Sequence, residues 1–316
     1  MFNLGIIGCG NHAQHHGKNC LESFRICGVW DPDPMATEKI VGSDKRYGTL
    51  EALLADENIS AIMICSPDQH HLGQIEMALA AGKHIFCEKP LLVPGQDMAS
   101  LEEVFDLAEK KKLVITSCHP RRFDKPFLWL KSEVSSRLDF GRVISISFDF
   151  SYRKLSGGWK ADSNLLLDHL NHEVDLMNFL FGIQGFSATK IFDSPYRYEV
   201  AGRRDDDITF HFMGTRCLES SKHELCTIRF ERGEVRLDTL MGTAQIIDHE
   251  KISINIVPNL WIDYNGRLGG VMNNFHDQII GTEVGYLSRP EILMNAEVGI
   301  ILQEDGVRRV NLRFCS

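Results

Sequence analysis

The run NLGIIGCGNHA, Asn3–Ala13, decides how this chain is read. A short, continuously apolar segment breaks at a G-x-G-x-x-A turn formed by Gly8, Gly10 and Ala13, with Asn11 and His12 inside it. Continuous apolarity is expected of a parallel strand buried on both faces. Gly8 permits a tight turn, Gly10 lets backbone approach a pyrophosphate, and a small residue at Ala13 allows close packing of helix on strand. Phosphates would then sit at the helix N-terminus. Such a turn alone also arises by chance or for packing. Here the next strand-like run, ICGVW, ends at Asp31, about 20 residues on, where an acid hydrogen-bonds an adenosine ribose diol.

Asp31 also bears on which dinucleotide is taken. A carboxylate there repels a 2′-phosphate, and Pro32-Asp33-Pro34 supplies no arginine to receive one, so NAD is favoured over NADP. The plainer reading of Asp31 is a turn residue before proline, which explains the dipeptide but not its position. His12, His15 and His16 fall in the first turns of the following helix. His12 is counted with the cofactor residues, whereas solvated helix surface accounts for at least two of the three.

Outward from this turn, strand-like runs LGIIGC, ICGVW, AIMIC, HIFCE and LVITSC alternate with helix-length stretches as far as Cys118. That alternation predicts a doubly wound parallel sheet. The stretch LGQIEMALAAG has helical periodicity, and Gly82 stands where a C-terminal cap is needed. After about residue 142 the pattern changes. VISISFDFSY, DITFHFMG, HELCTIRFER and EVRLDTL have strand composition, and no crossover helix separates the last three, so antiparallel pairing is expected among them. The helical runs LLLDHLNHEVDLMNFLFG, GVMNNFHDQIIG and PEILMNAEVGIILQED complete a second α/β domain. Boundaries follow at 1–120 for a dinucleotide-binding domain and 121–316 for a substrate-binding and oligomerisation domain.

The chain of 316 residues is 43% apolar and 24% charged, ordinary values for a folded globular protein. A net charge of −9 argues against general binding of nucleic acid. No apolar run has the length of a membrane span, and the start MFNLGIIGCG lacks a basic region followed by a signal-peptide core; a cytoplasmic protein without a membrane partner is expected. Nine cysteines, none in a CxxC pair, fit reduced core thiols.

The run HIFCE continues into Glu88-Lys89-Pro90, at the carboxyl edge of the sheet, where ligands bind in such folds. Pro90 disfavours a helical Lys89, and burial beside a cofactor would lower a lysine pKa and fit it for proton transfer or for polarising a carbonyl. A lone EKP is otherwise most often a solvated lysine before a turn. In Leu165–Gly182, Asp168 and His172 are four apart on one helical face, a disposition suited to acid–base work or to a buried histidine satisfied by its own aspartate. A metal is not expected: the HExxH pattern fails because position 176 is Leu, and the adjacent Asp168 and His169 diverge around the helix. Glu173 and Asp175 read as packing-edge or capping charges.

Taken together, GIIGCGNHA, SPDQHHLGQIEMALAAGKHIFCEKPL, HPRRFDKP, FGRVISI, LLLDHLNHEVDL and NNFHDQIIG resemble the Gfo/Idh/MocA oxidoreductases, named for glucose-fructose oxidoreductase, inositol 2-dehydrogenase and rhizopine catabolism. The resemblance implies a Rossmann domain followed by an α/β domain with an open, largely antiparallel sheet whose outer face commonly makes a homodimer or homotetramer. It further implies NAD(P)-dependent hydride transfer at a secondary alcohol of a sugar, cyclitol or related compound. Lys89 matches the family's catalytic lysine and Glu88 the neighbour that contacts the nicotinamide ribose. Ser66, Pro67 and His71 match the segment lining the cofactor, and a cis Lys89–Pro90 bond is expected. Asp168 and His172 match the family's DxGxH segment: His172 would take the hydroxyl proton, Asp168 would orient substrate or imidazole, and Lys89 would stabilise the oxyanion. His119, Arg121, Arg122, Trp159 and Lys160 are further substrate candidates, the arginines for a carboxylate or phosphate. Two departures stand out: Leu170 replaces the glycine of that segment, and the glycine triplet before it is absent. A dinucleotide-binding sensor or structural subunit without chemistry is the alternative.

Overall fold

Residues 1–20, 22–40, 45–136, 138–153, 164–217, 222–283 and 285–311 are described by the computed structural model. The chain forms two units, Met1–Phe123 with Tyr264–Ala296, and Asp124–Asp263 with Glu297–Ser316. In the first, β1 (Phe2–Ile7), β2 (Phe24–Trp30), β3 (Ala61–Ile64), β4 (His84–Cys87) and β5 (Ile115–Ser117) make one parallel sheet in the order β2-β1-β3-β4-β5. All five strand-like runs expected from the sequence are present. Between them lie α1 (Asn11–Asn19), α2 (Pro34–Thr37), α3 (Leu50–Ala55), α4 (His71–Ala80) and α5 (Met98–Lys111). Local chemistry sets the ends. Asp97 accepts a hydrogen bond from the Ala99 amide to cap α5, and Gly82, with φ +74°, lets the chain leave α4 in a left-handed conformation. Strand order reverses between β1 and β3, the topological switch point at which such sheets open a crevice.

The second unit carries α6 (Lys125–Ser136), β6 (Val143–Arg153), α7 (Leu165–Phe181), β7 (Phe186–Ser194), β8 (Arg197–Arg204), β9 (Thr209–Cys217), β10 (Glu224–Phe230), β11 (Gly233–Asp238), β12 (Thr243–Asp248), β13 (Ser253–Val257) and β14 (Val307–Val310). One nine-stranded sheet runs β13-β12-β11-β10-β6-β9-β8-β7-β14. It is antiparallel except where β6 and β9 pair in parallel. The expected pairing of DITFHFMG with HELCTIRFER does not occur: β6 lies between β9 and β10, because β9 closes a hairpin on β8 and β10 a hairpin on β11. Along the buried face Phe186, Phe210, Phe212, Phe148 and Phe150 follow one another at ring separations of 5.3, 4.9, 5.2 and 5.0 Å. Phe127 of α6 meets the last of them edge-on, so the helix layer is keyed to this row.

The segment that departs from the sequence division is α8 (Tyr264–Ile280) with the start of α9 (Arg289–Ile301). Reading placed it in the second domain, yet residues 264–296 belong to the first unit. The cause is the apolar stripe of α8. Val271, Met272 and Phe275 are fully buried in one cluster with Leu4, Ile6, Phe24 and Phe86, and the Phe275 ring stacks on Phe24 at 5.5 Å. Arg289 adds ion pairs to Asp106 and Glu109 of α5 at 2.7 and 3.2 Å. Among the described residues no helix is long and apolar enough to cross a membrane.

Candidate functional site

At the switch point the turns after β1 and β3 nearly touch. A Cβ at Gly8, whose φ is +82°, would lie 2.6 Å from the Ser66 amide nitrogen, so only glycine fits there. Gly10 is the opposite case: nothing stands within 4 Å of a Cβ built on it, and it precedes α1 without a side chain to cap the helix. Open space over uncapped N–H groups of a nine-residue helix is what a pyrophosphate needs. Ala13 is fully buried, packing α1 onto the sheet, while Asn11 and His12 are exposed beside the opening. Asp31 accepts the Cys9 amide at 2.7 Å and the Asp33 amide at 2.9 Å. The acid at the tip of β2 is thereby tied to the glycine turn itself.

At the edge of β3, the Ser66 hydroxyl donates to Gln74 Oε1 at 2.5 Å, after which Pro67 opens a short 3-10 turn. His71 is fully buried, with Nδ1 2.7 Å from the Pro90 carbonyl and Nε2 2.9 Å from the Ser66 carbonyl. Only a doubly protonated ring donates at both. Burial opposes that charge and lowers the His71 pKa, against the pull of the Pro90 carbonyl and of Asp68. His71 therefore stands between the two loops, within hydrogen-bond distance of both.

Glu88 and Lys89 directly follow β4 and are 6% and 5% exposed, and the Lys89–Pro90 peptide is cis as expected. Glu88 Oε1 is 2.6 Å from His16 Nε2 and 3.2 Å from His12 Nδ1. Burial by itself raises the Glu88 carboxyl, but His12 and then His16 hold it well below the ordinary range. His16 is a buried member of the three histidines that sequence alone does not single out. It is 2% exposed, and its i+4 spacing from His12 was the available signal. The Cys118 thiol, 3.6 Å from His16 Nε2, is pushed well up by burial and by the Glu88 charge. His16, Glu88 and Cys118 bring donor atoms within 4.8 Å of one another, although the His16–Glu88 contact of 2.6 Å is a hydrogen-bond length. Donors around a bound zinc stand about 3.3 Å apart.

Beyond β5, His119, Arg121 and Arg122 are all buried. Arg122 donates to Glu291 Oε1 at 2.8 Å and to the Tyr286 carbonyl at 2.9 Å, and the Tyr286 hydroxyl accepts the His119 amide at 3.0 Å. The Arg122 guanidinium thus has a carboxylate inside its own unit. Trp159 and Lys160 lie outside the described residues.

In the second unit, Asn164 caps α7 by accepting the Leu167 amide. Asp168 is buried and His172 half-buried. Contrary to the expectation of divergence, Asp168 Oδ2 lies 3.2 Å from His169 Nε2, because neighbours along a helix can still meet through their side-chain ends. His169 stacks on Tyr152 at 3.5 Å. Glu173 is fully buried, which corrects its reading as an edge charge: it accepts the Tyr152 and Tyr198 hydroxyls at 2.5 and 2.7 Å, joining α7 to β6 and β8. Burial, then the Glu173 charge, push the Tyr198 phenol well up. Asp175 is also buried, and so is Leu170, a packing residue of the helix.

Residues 2–119 match the sequence profile of the Gfo/Idh/MocA oxidoreductase family, described by its NAD-binding Rossmann fold. The chain is 35% identical over 170 residues to an uncharacterized oxidoreductase of Schizosaccharomyces pombe, across 50% of this chain and 45% of that one. It is 32% identical over 204 residues to inositol 2-dehydrogenase of Rhizobium meliloti, across 59% and 57%. The match therefore spans about half the length of these curated relatives. An oxidoreductase of Agrobacterium radiobacter in complex with NAD+, L-tartaric acid and magnesium has the same fold, with a TM-score of 0.82 at 15% identity over 98% of both chains.

Proposed function

We propose that this chain, whose residues 2–119 match the Gfo/Idh/MocA oxidoreductase family, is an NAD-dependent dehydrogenase acting on a secondary alcohol, or the matching ketone, of a sugar, cyclitol or sugar derivative. The observation that carries this reading is the conjunction, in one unit, of an open Gly10 turn on an uncapped helix with a buried Glu88-Lys89 pair at the end of β4. NAD, when bound, supplies the hydride acceptor or donor. Gly8, Gly10, Asn11, His12 and Ala13 form its phosphate turn, Asp31 meets the adenosine ribose, and Ser66, Pro67 and Glu88 line the crevice, with His71 bracing it. Lys89 holds its ammonium toward the oxygen that gains negative charge, and His172 exchanges the hydroxyl proton with Asp168 as its orienting partner. His119 and Arg121 are the substrate-side candidates that remain after Arg122 is assigned to Glu291; Trp159 and Lys160, outside the described residues, stay candidates on their sequence alone.

The test is a panel of polyols, sugar acids and nucleotide sugars incubated with NAD+ and followed by NADH absorbance. Turnover of at least one class is expected. NADH binding without turnover anywhere leaves the dinucleotide sensor as the function. Replacing Asp31 by serine removes the charge that repels a 2′-phosphate, and the ratio of kcat/KM for NADP+ to that for NAD+ is expected to rise on the order of 10- to 100-fold. An unchanged ratio contradicts the assignment of Asp31.

A homodimer or homotetramer through the second unit's sheet is part of the same proposal. Leu225, Met241, Ile254, Ile256 and Trp261 are each at least 40% exposed there, an apolar surface that water does not favour. Light scattering that finds only monomer counts against it.

A further inference from the structure

Glu88 is a buried carboxylate of the first unit held by two histidines, and the helix that holds it is the one that begins at the phosphate turn. His12 and His16 occupy successive turns of α1, and both rings converge on a single oxygen, Glu88 Oε1. His16 meets Phe86 edge-on at 5.2 Å, which fixes its ring plane, and its Nδ1 is buried without a hydrogen-bond partner. The ring proton therefore belongs on Nε2, donated to Glu88. We propose that His16, assisted by His12, is a positioning residue that keeps Glu88 ionised and fixed in orientation, so that α1 couples the phosphate end of the cofactor cradle to its nicotinamide end. The inference rests on the cofactor reading above for what Glu88 meets, but not for the clamp itself.

Two features separate this role from simple packing. The first is that both contacts fall on Oε1, so the second carboxylate oxygen is not held by either histidine. The second is electrostatic. Glu88 is flanked by Cys87 and Lys89, and faced by His12 and His16 from α1, His71 from α4, Cys65 at the end of β3 and Cys118 after β5. With burial opposing its charge, the two imidazoles of α1 decide its state. Without His16, one of the two imidazoles that offset burial is gone and the Glu88 carboxyl moves up.

The sign of the effect can be followed through linkage. In the native protein the depressed Glu88 pKa contributes stability that is present above the ordinary carboxyl value and is lost as pH falls through the folded value. In His16→Leu the folded value moves up, so less of that stability is gained as pH rises. The stability gap between wild type and His16→Leu should therefore widen as pH climbs from about 4 to about 7.

The experiment measures urea unfolding of cofactor-free wild type, His16→Leu and Glu88→Gln, together with the double variant, across that range, and then titrates NAD+ by protein fluorescence. A gap that widens with pH, and that becomes flat in the Glu88→Gln background, supports the clamp. A gap of constant size overturns it, since packing alone has no reason to follow pH. NAD+ affinity of wild type is expected to change less than about threefold between pH 8 and 5.5, whereas that of His16→Leu falls roughly tenfold, and His16→Gln, which retains a donor, recovers most of the difference. Equal pH profiles for wild type and His16→Leu overturn the coupling to the cofactor. If wild type binds no NAD+ at any pH, the cofactor reading fails while the unfolding data still judge the clamp. Should His16→Leu not fold, the same measurements on His12→Ala, at an exposed position, decide the matter, with a shift in the same direction.

Discussion

Lys89→Ala is expected to lower kcat by roughly a thousandfold, about 4 kcal/mol in the barrier, while NADH binding stays within about threefold of wild type. The size follows from where the lysine sits. It is 5% exposed, it follows an ionised Glu88, and it stands at the carboxyl end of β4. An ammonium taken out of water there stabilises developing negative charge far better than a solvated one. Lys89→Met, which keeps the length of the side chain, separates charge from volume and should be nearly as slow. Initial rates on whichever substrate the panel identifies, combined with NADH fluorescence titration, make the measurement. Turnover within tenfold of wild type in both variants removes Lys89 from the chemistry.

Phe275→Ala is expected to cost the first unit about 3–5 kcal/mol and to lower its thermal midpoint by roughly 10 °C. Phe275 is fully buried, stacked on Phe24 at 5.5 Å and tilted against Phe86 at 5.9 Å. Its removal opens a cavity in the cluster that also contains Leu4, Ile6 and Val29, the strands that carry the glycine turn and Asp31. NAD+ affinity should weaken in parallel, although no residue of α8 is assigned to the cofactor. Calorimetry of the two variants Phe275→Ala and Phe275→Leu tests this, with the leucine expected to recover more than half of the loss. A shift below 1 °C for the alanine variant would show that α8 contributes little to the first unit.

These two residues mark the division between what was legible in the sequence and what was not. The strands β1 to β5, the glycine turn, Asp31 and the Glu88-Lys89-Pro90 edge were all readable, because each is written in residues adjacent along the chain. A strand buried on both faces must be continuously apolar, a turn that brushes another backbone must be glycine, and a proline constrains the residue before it. Such rules need no knowledge of the rest of the fold. The same locality lets Asp168 and His172 be proposed together from one helix.

Tertiary structure alone decided the partners that lie far apart in sequence. That residues 264–296 return to the first unit depends on which apolar surface α8 buries, and periodicity identifies a stripe without naming its counterpart. That β6 separates β9 from β10 depends on hairpins formed by β8 and β11, whose sequences carry no record of their neighbour's identity. Glu173 looked like a charge at a packing edge, and became the joint acceptor of two hydroxyls from β6 and β8 only once the sheet brought Tyr152 and Tyr198 beneath it. Arg122 looked available for an anion until Glu291 arrived from 169 positions further along the chain. His16 and Glu88, separated by 72 positions, follow the same rule. A charged side chain records its own chemistry in the sequence, but the charge that satisfies it is chosen by the fold, because desolvation makes burial and pairing a single event.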